Sequence, residues 1–188
     1  MTIHGLLLAA GAGTRMGQPK ALVRDDHGSW LVRGVRALRE GGCDEVTVVL
    51  GAAADEAAPL LDGQDVSVVV AADWADGMSA SLRAGLAGLE CSSAAAAVVT
   101  LVDLPDVTGA VVARIVAGGV ESAALRRASY DGRPGHPVLL GRDHWAGIVA
   151  EASGDRGARD YLAARDVDLV ECGDLATGRD VDTRPGSR

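Results

Sequence analysis

Residues 6–20 read LLLAAGAGTRMGQPK, an apolar run that turns directly into a glycine-rich loop. The apolar run, residues 3–9, is short and continuous, as is typical of a buried strand. Small residues after it let the backbone approach a ligand closely, and successive backbone N–H groups can surround an anion. Because Arg15 and Lys20 add positive charge to the same loop, we expect it to bind a polyphosphate.

Composition and charge exclude several classes of protein. The chain has 188 residues, of which 48% are hydrophobic, and a formal net charge of −8. These values exclude a disordered chain and argue against a general nucleic-acid or membrane binder. Three cysteines far apart (Cys43, Cys91 and Cys172), with no CxxC pair, indicate free thiols in a reducing cytoplasm.

Charge is distributed unevenly along the chain. Residues 1–40 carry a net charge of +3 and residues 41–188 a net charge of −11. Lys20 is the only lysine, whereas arginine occurs 17 times. A compact ammonium suits one phosphate oxygen in a tight site, so the pattern indicates a local anion site around the glycine-rich loop.

Apolar runs alternate with amphipathic segments along the chain. The predicted strands are residues 3–9, 45–50, 66–70, 96–102, 123–128 and 167–170. The predicted helices are 30–40 capped by Ser29, 55–61, 79–89 capped by Ser79, 109–117 capped by Thr108, 143–150 and 157–164, with a turn-rich loop over 131–137. We therefore expect a single domain over residues 1–188, a three-layer α/β/α fold with a Rossmann-like, mostly parallel sheet. Ligands of such sheets bind beyond the carboxyl ends of the strands, here near loops 10–20, 71–79 and 103–108.

The loop matches neither of two common phosphate-binding motifs. The dinucleotide fingerprint G-x-G-x-x-G/A fails because its third position is Met16, which disfavours a Rossmann oxidoreductase. A P-loop fails because Lys20 is followed by Ala21 instead of Ser or Thr. A glycine-rich turn without a chemical role is the alternative.

Asp103 follows the apolar run 96–102 and precedes Leu104-Pro105. A carboxylate at the end of a strand faces the expected ligand crevice, where Mg²⁺ commonly takes one or two carboxylates and phosphate oxygens. The alternative is that Asp103 only caps the following turn. The residues alone leave both possibilities open.

The segment LLLAAGAGTRMGQPKAL resembles the N-terminal motif L-A-A-G-x-S/G-x-R-M-G-x-x-K of the MobA-like nucleotidyltransferases. The resemblance implies that the loop wraps the triphosphate of an NTP, and that Arg15 and Lys20 hold the phosphates and are catalytic. The residues that it assigns to nucleotide contact are Leu8, Ala9, Ala10, Gly11, Ala12 and Gly13. It also raises the metal role of Asp103, because the family's magnesium motif is D-x-P after a strand.

Two further segments extend the resemblance towards the cytidylyltransferase branch. W-A-D-G-M-S-A-S-L, residues 74–82, is similar to its W-x-x-G-M-x-x-S-L, which implies nucleotide contacts from Ser79 and Ser81. The Asn that often precedes this motif is Ala71 here, so either Asp73 takes over its nucleotide contact or the loop reads the base by backbone groups alone. The tail D-V-D-T, residues 180–183, is similar to a D-[IV]-D-T ending and makes Asp182 a second metal ligand, the alternative being a frayed acidic terminus.

The C-terminal half carries two motifs that resemble G-x-x-G-H-P and G-D-x-G-A-R of molybdenum cofactor cytidylyltransferases. In that family they belong to the side that receives the pterin acceptor. The resemblance implies acceptor contacts from Gly135, His136, Asp155, Arg156 and Gly157. Without it, a solvent-exposed or structural histidine is the simpler interpretation of His136.

The sequence therefore predicts a Mg²⁺-dependent nucleotidyltransferase that releases pyrophosphate. The resemblance implies that it transfers CMP from CTP to molybdopterin. Its partners would be CTP, molybdopterin and a molybdoenzyme client, without nucleic acid or membrane, in the cytoplasm. One alternative is a guanylyltransferase or another NTP transferase with a different phosphorylated acceptor. Another is a non-catalytic nucleotide-binding accessory protein for a molybdenum hydroxylase.

Overall fold

The computed structural model describes residues 1–182 of the chain. Its strands are β1 (Thr2–Ala9), β2 (Arg24–Asp25), β3 (Gly28–Ser29), β4 (Glu45–Leu50), β5 (Ser67–Val70), β6 (Ala94–Leu101), β7 (Leu125–Tyr130), β8 (Arg133–Gly141) and β9 (Asp168–Glu171). Its α-helices are α1 (Trp30–Glu40), α2 (Ala54–Ala57), α3 (Met78–Gly88), α4 (Gly109–Val116), α5 (Trp145–Glu151) and α6 (Arg159–Ala163).

Seven of these strands form one sheet in the order β5-β4-β1-β6-β8-β7-β9. β1 pairs in parallel with β4 and β6, β4 with β5, and β7 with β9, whereas β8 runs antiparallel to both β6 and β7. β2 and β3 form a separate two-stranded hairpin. Because β1 and β6 are adjacent and parallel, with Leu8 opposite Leu101, the loops that follow them emerge side by side.

Helices cover both faces of the sheet. Alternate residues of β1 point to opposite faces, so Leu7 and Ala9 join the core under α1 and α4, whereas Leu6 and Leu8 join the core under α3, α5 and α6. The predicted three-layer α/β/α class with a mostly parallel sheet is confirmed. None of the helices in residues 1–182 combines the length and apolar character needed to cross a membrane.

The predicted and observed bounds of helices and strands agree best where the local sequence carries one strong signal for the element. α1 has the predicted bounds, and the Ser29 hydroxyl accepts a hydrogen bond from the Val32 N–H at its start. β4 also has the predicted bounds. Thr108 precedes α4 as expected, but its side chain makes no capping hydrogen bond.

The prediction of a turn-rich loop over 131–137 is wrong, because β8 begins at Arg133. Tyr130 pairs with Arg133 and Ser129 with Pro134, so a tight hairpin joins β7 to β8. Gly and Pro residues here favoured a loop by local propensity. Pairing of β8 with β7 and β6 outweighs that propensity.

Candidate functional site

A cavity of about 360 Å³ lies beyond the carboxyl ends of β1 and β6. All six predicted loop residues, 8–13, line it, and Arg15, Lys20, Ser81 and Asp103 do so too. The first turn of α3 closes one side through Gly77 and Met78. The structure therefore brings together most of the residues that the sequence assigned to nucleotide, phosphate and metal binding.

The conformation of the glycine-rich loop depends on Gly13. This residue has φ of 58°, and a Cβ there would collide with the carbonyl oxygen of Gln18. Met16 N–H donates to the Gly13 carbonyl at 2.9 Å and closes the turn. At Gly11, by contrast, no atom lies within 4 Å of where a Cβ would stand. The loop thus folds back tightly at Gly13 and stays open towards the cavity at Gly11.

Lys20 lies between the two predicted metal carboxylates. Its Nζ donates to Asp103 Oδ2 at 2.5 Å and to Asp182 Oδ1 at 2.6 Å, while Arg15 bonds the other oxygen of Asp182 at 2.9 Å. The side chains of Lys20 and Asp103 are only 18% and 14% exposed. Val181 N–H donates to the Asp103 carbonyl at 3.0 Å, which holds the tail against the end of β6.

Electrostatics in this cluster follow from the short contacts. Burial alone would lower the pKa of Lys20, but the hydrogen bonds to Asp103 and Asp182 outweigh it and raise that pKa. The hydrogen bond from Lys20 lowers the pKa of Asp182 against the effect of burial. Lys20 therefore stays protonated and Asp182 ionised around neutral pH. The Lys20 ammonium lies within ion-pair distance of both carboxylates.

Asp103 retains one free oxygen, because Oδ1 is buried and has no hydrogen-bond partner within residues 1–182. A buried carboxylate oxygen without a partner is costly, and a divalent cation that prefers oxygen ligands would satisfy it. No group of three or more His, Cys, Asp or Glu in the described part of the chain could hold a metal alone. Asp103 and Asp182 therefore fit a cation whose other ligands are phosphate oxygens and water.

A second cavity, of about 300 Å³, adjoins the first. Gly135, His136, Arg156 and Gly157 line it, as does Asp155, which also lines the first cavity. The predicted acceptor residues therefore share one cavity, which opens beside the predicted nucleotide cavity.

His136 lines the second cavity as a neutral side chain. Burial, and then the charges of Arg127 and Arg159, lower its pKa to about 4. The imidazole is therefore neutral at pH 7. Arg156 is exposed and is paired with Asp160 at 2.6 Å, so its charge is already balanced.

Two predicted nucleotide residues lie outside the first cavity. Ser79 does not cap α3, because the helix begins at Met78 after Gly77. Its buried hydroxyl accepts a hydrogen bond from Gly157 N–H at 3.1 Å, so it supports the loop of the second cavity. Asp73 is exposed, lies 3.4 Å from Arg83 and is not in the cavity wall.

Sequence reasoning missed one arginine of the second cavity, Arg127. Arg127 is a charged residue inside a predicted strand, which is a signal that could have been used. Arg156 and Arg159 of the G-D-x-G-A-R segment, two arginines that the sequence indicates as an anion site for an acceptor phosphate, both line this cavity. The link between Lys20 and both carboxylates has no local signal, since the residues lie 83 and 162 positions apart.

Comparison with known families gives one match over most of the chain. The family model described as "MobA-like NTP transferase domain" matches residues 5–169. This range includes the glycine-rich loop, Asp103 and the second cavity except for Gly178 and Asp180 of its wall. It does not include Asp182, and Thr183 of the tail motif lies outside the described residues.

Individual relatives cover nearly the whole chain. Nicotine blue oxidoreductase of Paenarthrobacter nicotinovorans is 36% identical over 192 aligned positions, covering 96% of this chain and 92% of that protein. The crystal structure of Rv0371c from Mycobacterium tuberculosis H37Rv superposes with a TM-score of 0.81 at 28% identity, covering 97% of this chain and 94% of that one. A structure of Rv0371c in complex with manganese has a TM-score of 0.75 at 28% identity, covering 91% and 88%.

Proposed function

The chain belongs to the MobA-like NTP transferase family, and on that premise we propose that it transfers CMP from CTP to molybdopterin with release of pyrophosphate. The chain is a nucleotidyltransferase, and this family uses a divalent metal; CTP, Mg²⁺ and molybdopterin are the specific substrates and cofactor of the proposal. A molybdoenzyme client would receive the product.

One observation supports the proposal above all others: the two cavities meet at a common wall. Leu8, Met78, Leu101, Asp103 and Asp155 line both. A triphosphate in the first cavity and an acceptor phosphate in the second would face each other across Asp103. Holding two reactants in contact is a large part of what catalyses a transfer between them.

In the proposed reaction, an acceptor phosphate oxygen bonds to the α-phosphorus of CTP. The bond from that phosphorus to the β-phosphate oxygen breaks, and pyrophosphate leaves with the electron pair. A divalent cation at Asp103 and Asp182 would polarise the α-phosphate and neutralise the developing charge. The loop amides of residues 9–13 orient the triphosphate, and Arg15 and Lys20 balance the charge of the leaving pyrophosphate.

Lys20 has to change partners in this scheme. In the structure its ammonium neutralises Asp103 and Asp182. With a triphosphate in the cavity, the same ammonium is within the loop that surrounds the phosphates and becomes their counter-ion. The role in phosphate binding that the sequence assigned to Lys20 is thus a proposal about the substrate-bound state.

Preference for CTP is supported by the segment 74–82, whose Trp74, Met78 and Ser81 line the first cavity. We expect CTP with Mg²⁺ to protect the protein against thermal unfolding more than GTP does, because at equal concentration the ligand with the lower Kd stabilises the folded state more. A pyrophosphate-release screen of four NTPs with molybdopterin tests the reaction itself. Greater protection and faster release with GTP would place the chain among guanylyltransferases.

The alternative to an enzyme is an accessory protein that binds the nucleotide without turnover. CTP would then protect against unfolding, but no NTP would release pyrophosphate with molybdopterin. The same two assays therefore separate an enzyme from a nucleotide-binding module.

An oxidoreductase activity is a second candidate, favoured by the name of the 36% identical relative, nicotine blue oxidoreductase. It would need a reduced nicotinamide nucleotide in the first cavity as hydride donor and a reducible acceptor in the second. The failed dinucleotide fingerprint at Met16 speaks against it. Consumption of NADH or NADPH with a quinone acceptor would support it, and absence of NAD(P)H binding would remove it.

A further inference from the structure

Asp182 binds both cations of the glycine-rich loop, one with each carboxylate oxygen. Its Oδ2 accepts a hydrogen bond from the Arg15 guanidinium at 2.9 Å, and its Oδ1 accepts one from the Lys20 ammonium at 2.6 Å. The Asp182 side chain also lines the first cavity. The proposed function assigns the same two cations to the phosphates of the nucleotide, so Asp182 holds the place of an anion in that cavity.

The two contacts of Asp182 differ in strength. The side chain of Arg15 is 79% exposed, and exposed ion pairs contribute little to stability because water and salt screen them. The side chain of Lys20 is only 18% exposed, and its contact with Asp182 is the shorter of the two. A phosphate that enters the cavity therefore competes with Asp182 mainly for Lys20.

Backbone contacts hold the tail in place independently of the Asp182 carboxylate. Val181 N–H donates to the Asp103 carbonyl at 3.0 Å, and Thr177 N–H donates to Asp106 Oδ2 at 2.7 Å. Both contacts remain when the Asp182 carboxylate is replaced by an amide. We therefore expect Asp182→Asn to fold and to keep the tail against the end of β6.

A triphosphate that takes Lys20 and Arg15 leaves Asp182 without its positive partners. Asp103 loses the same ammonium, so two carboxylates would then lie beside the triphosphate. Like charges at short range in a partly buried site repel strongly. A divalent cation removes this repulsion, since it accepts carboxylate and phosphate oxygens as ligands at the same time.

We infer that Asp182 is a specificity-determining residue that excludes metal-free triphosphates from the first cavity and admits their divalent-metal complexes. Its carboxylate acts as an internal phosphate mimic on Arg15 and Lys20. The inference rests on the proposed function for placing the triphosphate and the cation in this cavity. It differs from a metal-ligand role because Asp182 acts on phosphate binding when no metal is present.

Binding of tripolyphosphate to the full chain, measured by calorimetry, tests the inference without any turnover. With EDTA present, we expect Asp182→Asn to bind tripolyphosphate about 10-fold more tightly than wild type, the scale of removing one competing charge-assisted contact. With Mn²⁺ in excess, the order reverses and Asp182→Asn binds more weakly than wild type, because the cation has lost a ligand. Asp182→Ala should show the same reversal, so the test does not depend on how the Asn amide packs.

Asp180→Asn is the matched control. Asp180 is exposed, lies two residues earlier in the tail, and lines the second cavity instead of the first. This variant changes the net charge equally and should bind tripolyphosphate as wild type does in both conditions. If it binds as tightly as Asp182→Asn with EDTA, a general loss of negative charge explains the effect and the inference is overturned.

Three other results would overturn the inference. Unchanged affinity of Asp182→Asn with EDTA would leave Asp182 only a metal ligand. Weaker binding of Asp182→Asn in both conditions would make Asp182 a structural residue of the cavity. Absence of tripolyphosphate binding to wild type and variants in both conditions would show that the cavity does not bind such an anion.

Failure of the proposed function looks different from failure of this inference. If no NTP releases pyrophosphate with molybdopterin, the proposed function fails, yet tripolyphosphate binding can still reverse its order between EDTA and Mn²⁺. If turnover occurs and the reversal is absent, the inference alone fails.

Discussion

Lys20 lies at the centre of the charged cluster in the first cavity. Its Nζ is 2.5 Å from Asp103 and 2.6 Å from Asp182. The sequence singled out this residue because it is the only lysine among 17 arginines. Its partners could not be predicted, because they come from distant parts of the chain. The sequence presents Lys20 as a phosphate ligand, whereas in the structure its ammonium pairs with Asp103 and Asp182.

Replacing Lys20 should therefore change metal binding as well as turnover. We expect Lys20→Met to bind Mn²⁺ more tightly than wild type without nucleotide, because two carboxylates lose their internal counter-ion. We also expect kcat/KM to fall by roughly 10²-fold, the scale of one preorganised charge donor. Mn²⁺ binding followed by electron paramagnetic resonance measures the first effect.

Arg24→Met is the control for Lys20→Met, since Arg24 is an exposed cation outside the first cavity. It changes the net charge equally and should leave Mn²⁺ affinity and turnover near wild type. Unchanged Mn²⁺ affinity in Lys20→Met would refute the counter-ion role, and kcat/KM within twofold of wild type would remove Lys20 from the mechanism.

At the scale of elements, the glycine-rich loop was the most predictable part of the site. Its glycines and its charged residues lie within one short segment directly after β1, so the local sequence contains the whole signal. β8 was not predictable in the same way, because Pro134 and Gly135 favour a loop locally and only pairing with β7 makes them a strand. Arg127 was overlooked for the same reason: its direction into a cavity depends on the sheet, not on its neighbours in sequence.

Two glycines of the loop offer a matched test of its conformation. Gly13 and Gly17 both have positive φ, 58° and 71°, but only a Cβ at Gly13 would collide with backbone. We expect Gly17→Ala to cost about 1 kcal/mol of stability, the strain of a left-handed alanine, and to keep CTP binding. Gly13→Ala should cost more and lose CTP binding, as measured by chemical unfolding and calorimetry; equal behaviour of the two variants would contradict the loop geometry.

The start of α3 connects the two cavities through a pair of serines. Ser79 accepts a hydrogen bond from Gly157 N–H behind the second cavity, whereas Ser81 lines the first. Ser79→Ala leaves a buried N–H without a partner, at a cost of about 1–3 kcal/mol, and should raise the KM for the acceptor. Ser81→Ala should instead raise the KM for CTP. Steady-state kinetics with each substrate varied would contradict this division if both variants affected the same KM.

At the scale of the molecule, the fold explains the uneven charge of the chain. Residues 1–40 have a net charge of +3 and the remainder a net charge of −11. The two parts of the chain come into contact in the first cavity, where Arg15 pairs with Asp182 and Lys20 pairs with Asp103 and Asp182. The alternation of apolar runs and helices was enough to predict the three-layer class, since buried parallel strands carry a strong signal. The second cavity needed the assembled sheet, because β6, β7 and β8 contribute to it together.

The central claim is a transfer between two ligands held on either side of Asp103. Product analysis by mass spectrometry after incubation with CTP, molybdopterin and Mg²⁺ tests it most directly, with Asp103→Asn as the matched variant. We expect a cytidylyl-molybdopterin dinucleotide and one pyrophosphate for each dinucleotide formed. We expect neither product with Asp103→Asn, whose thermal stability without ligands should stay near wild type. Binding of CTP without dinucleotide in the wild type, or equal product with Asp103→Asn, would contradict it.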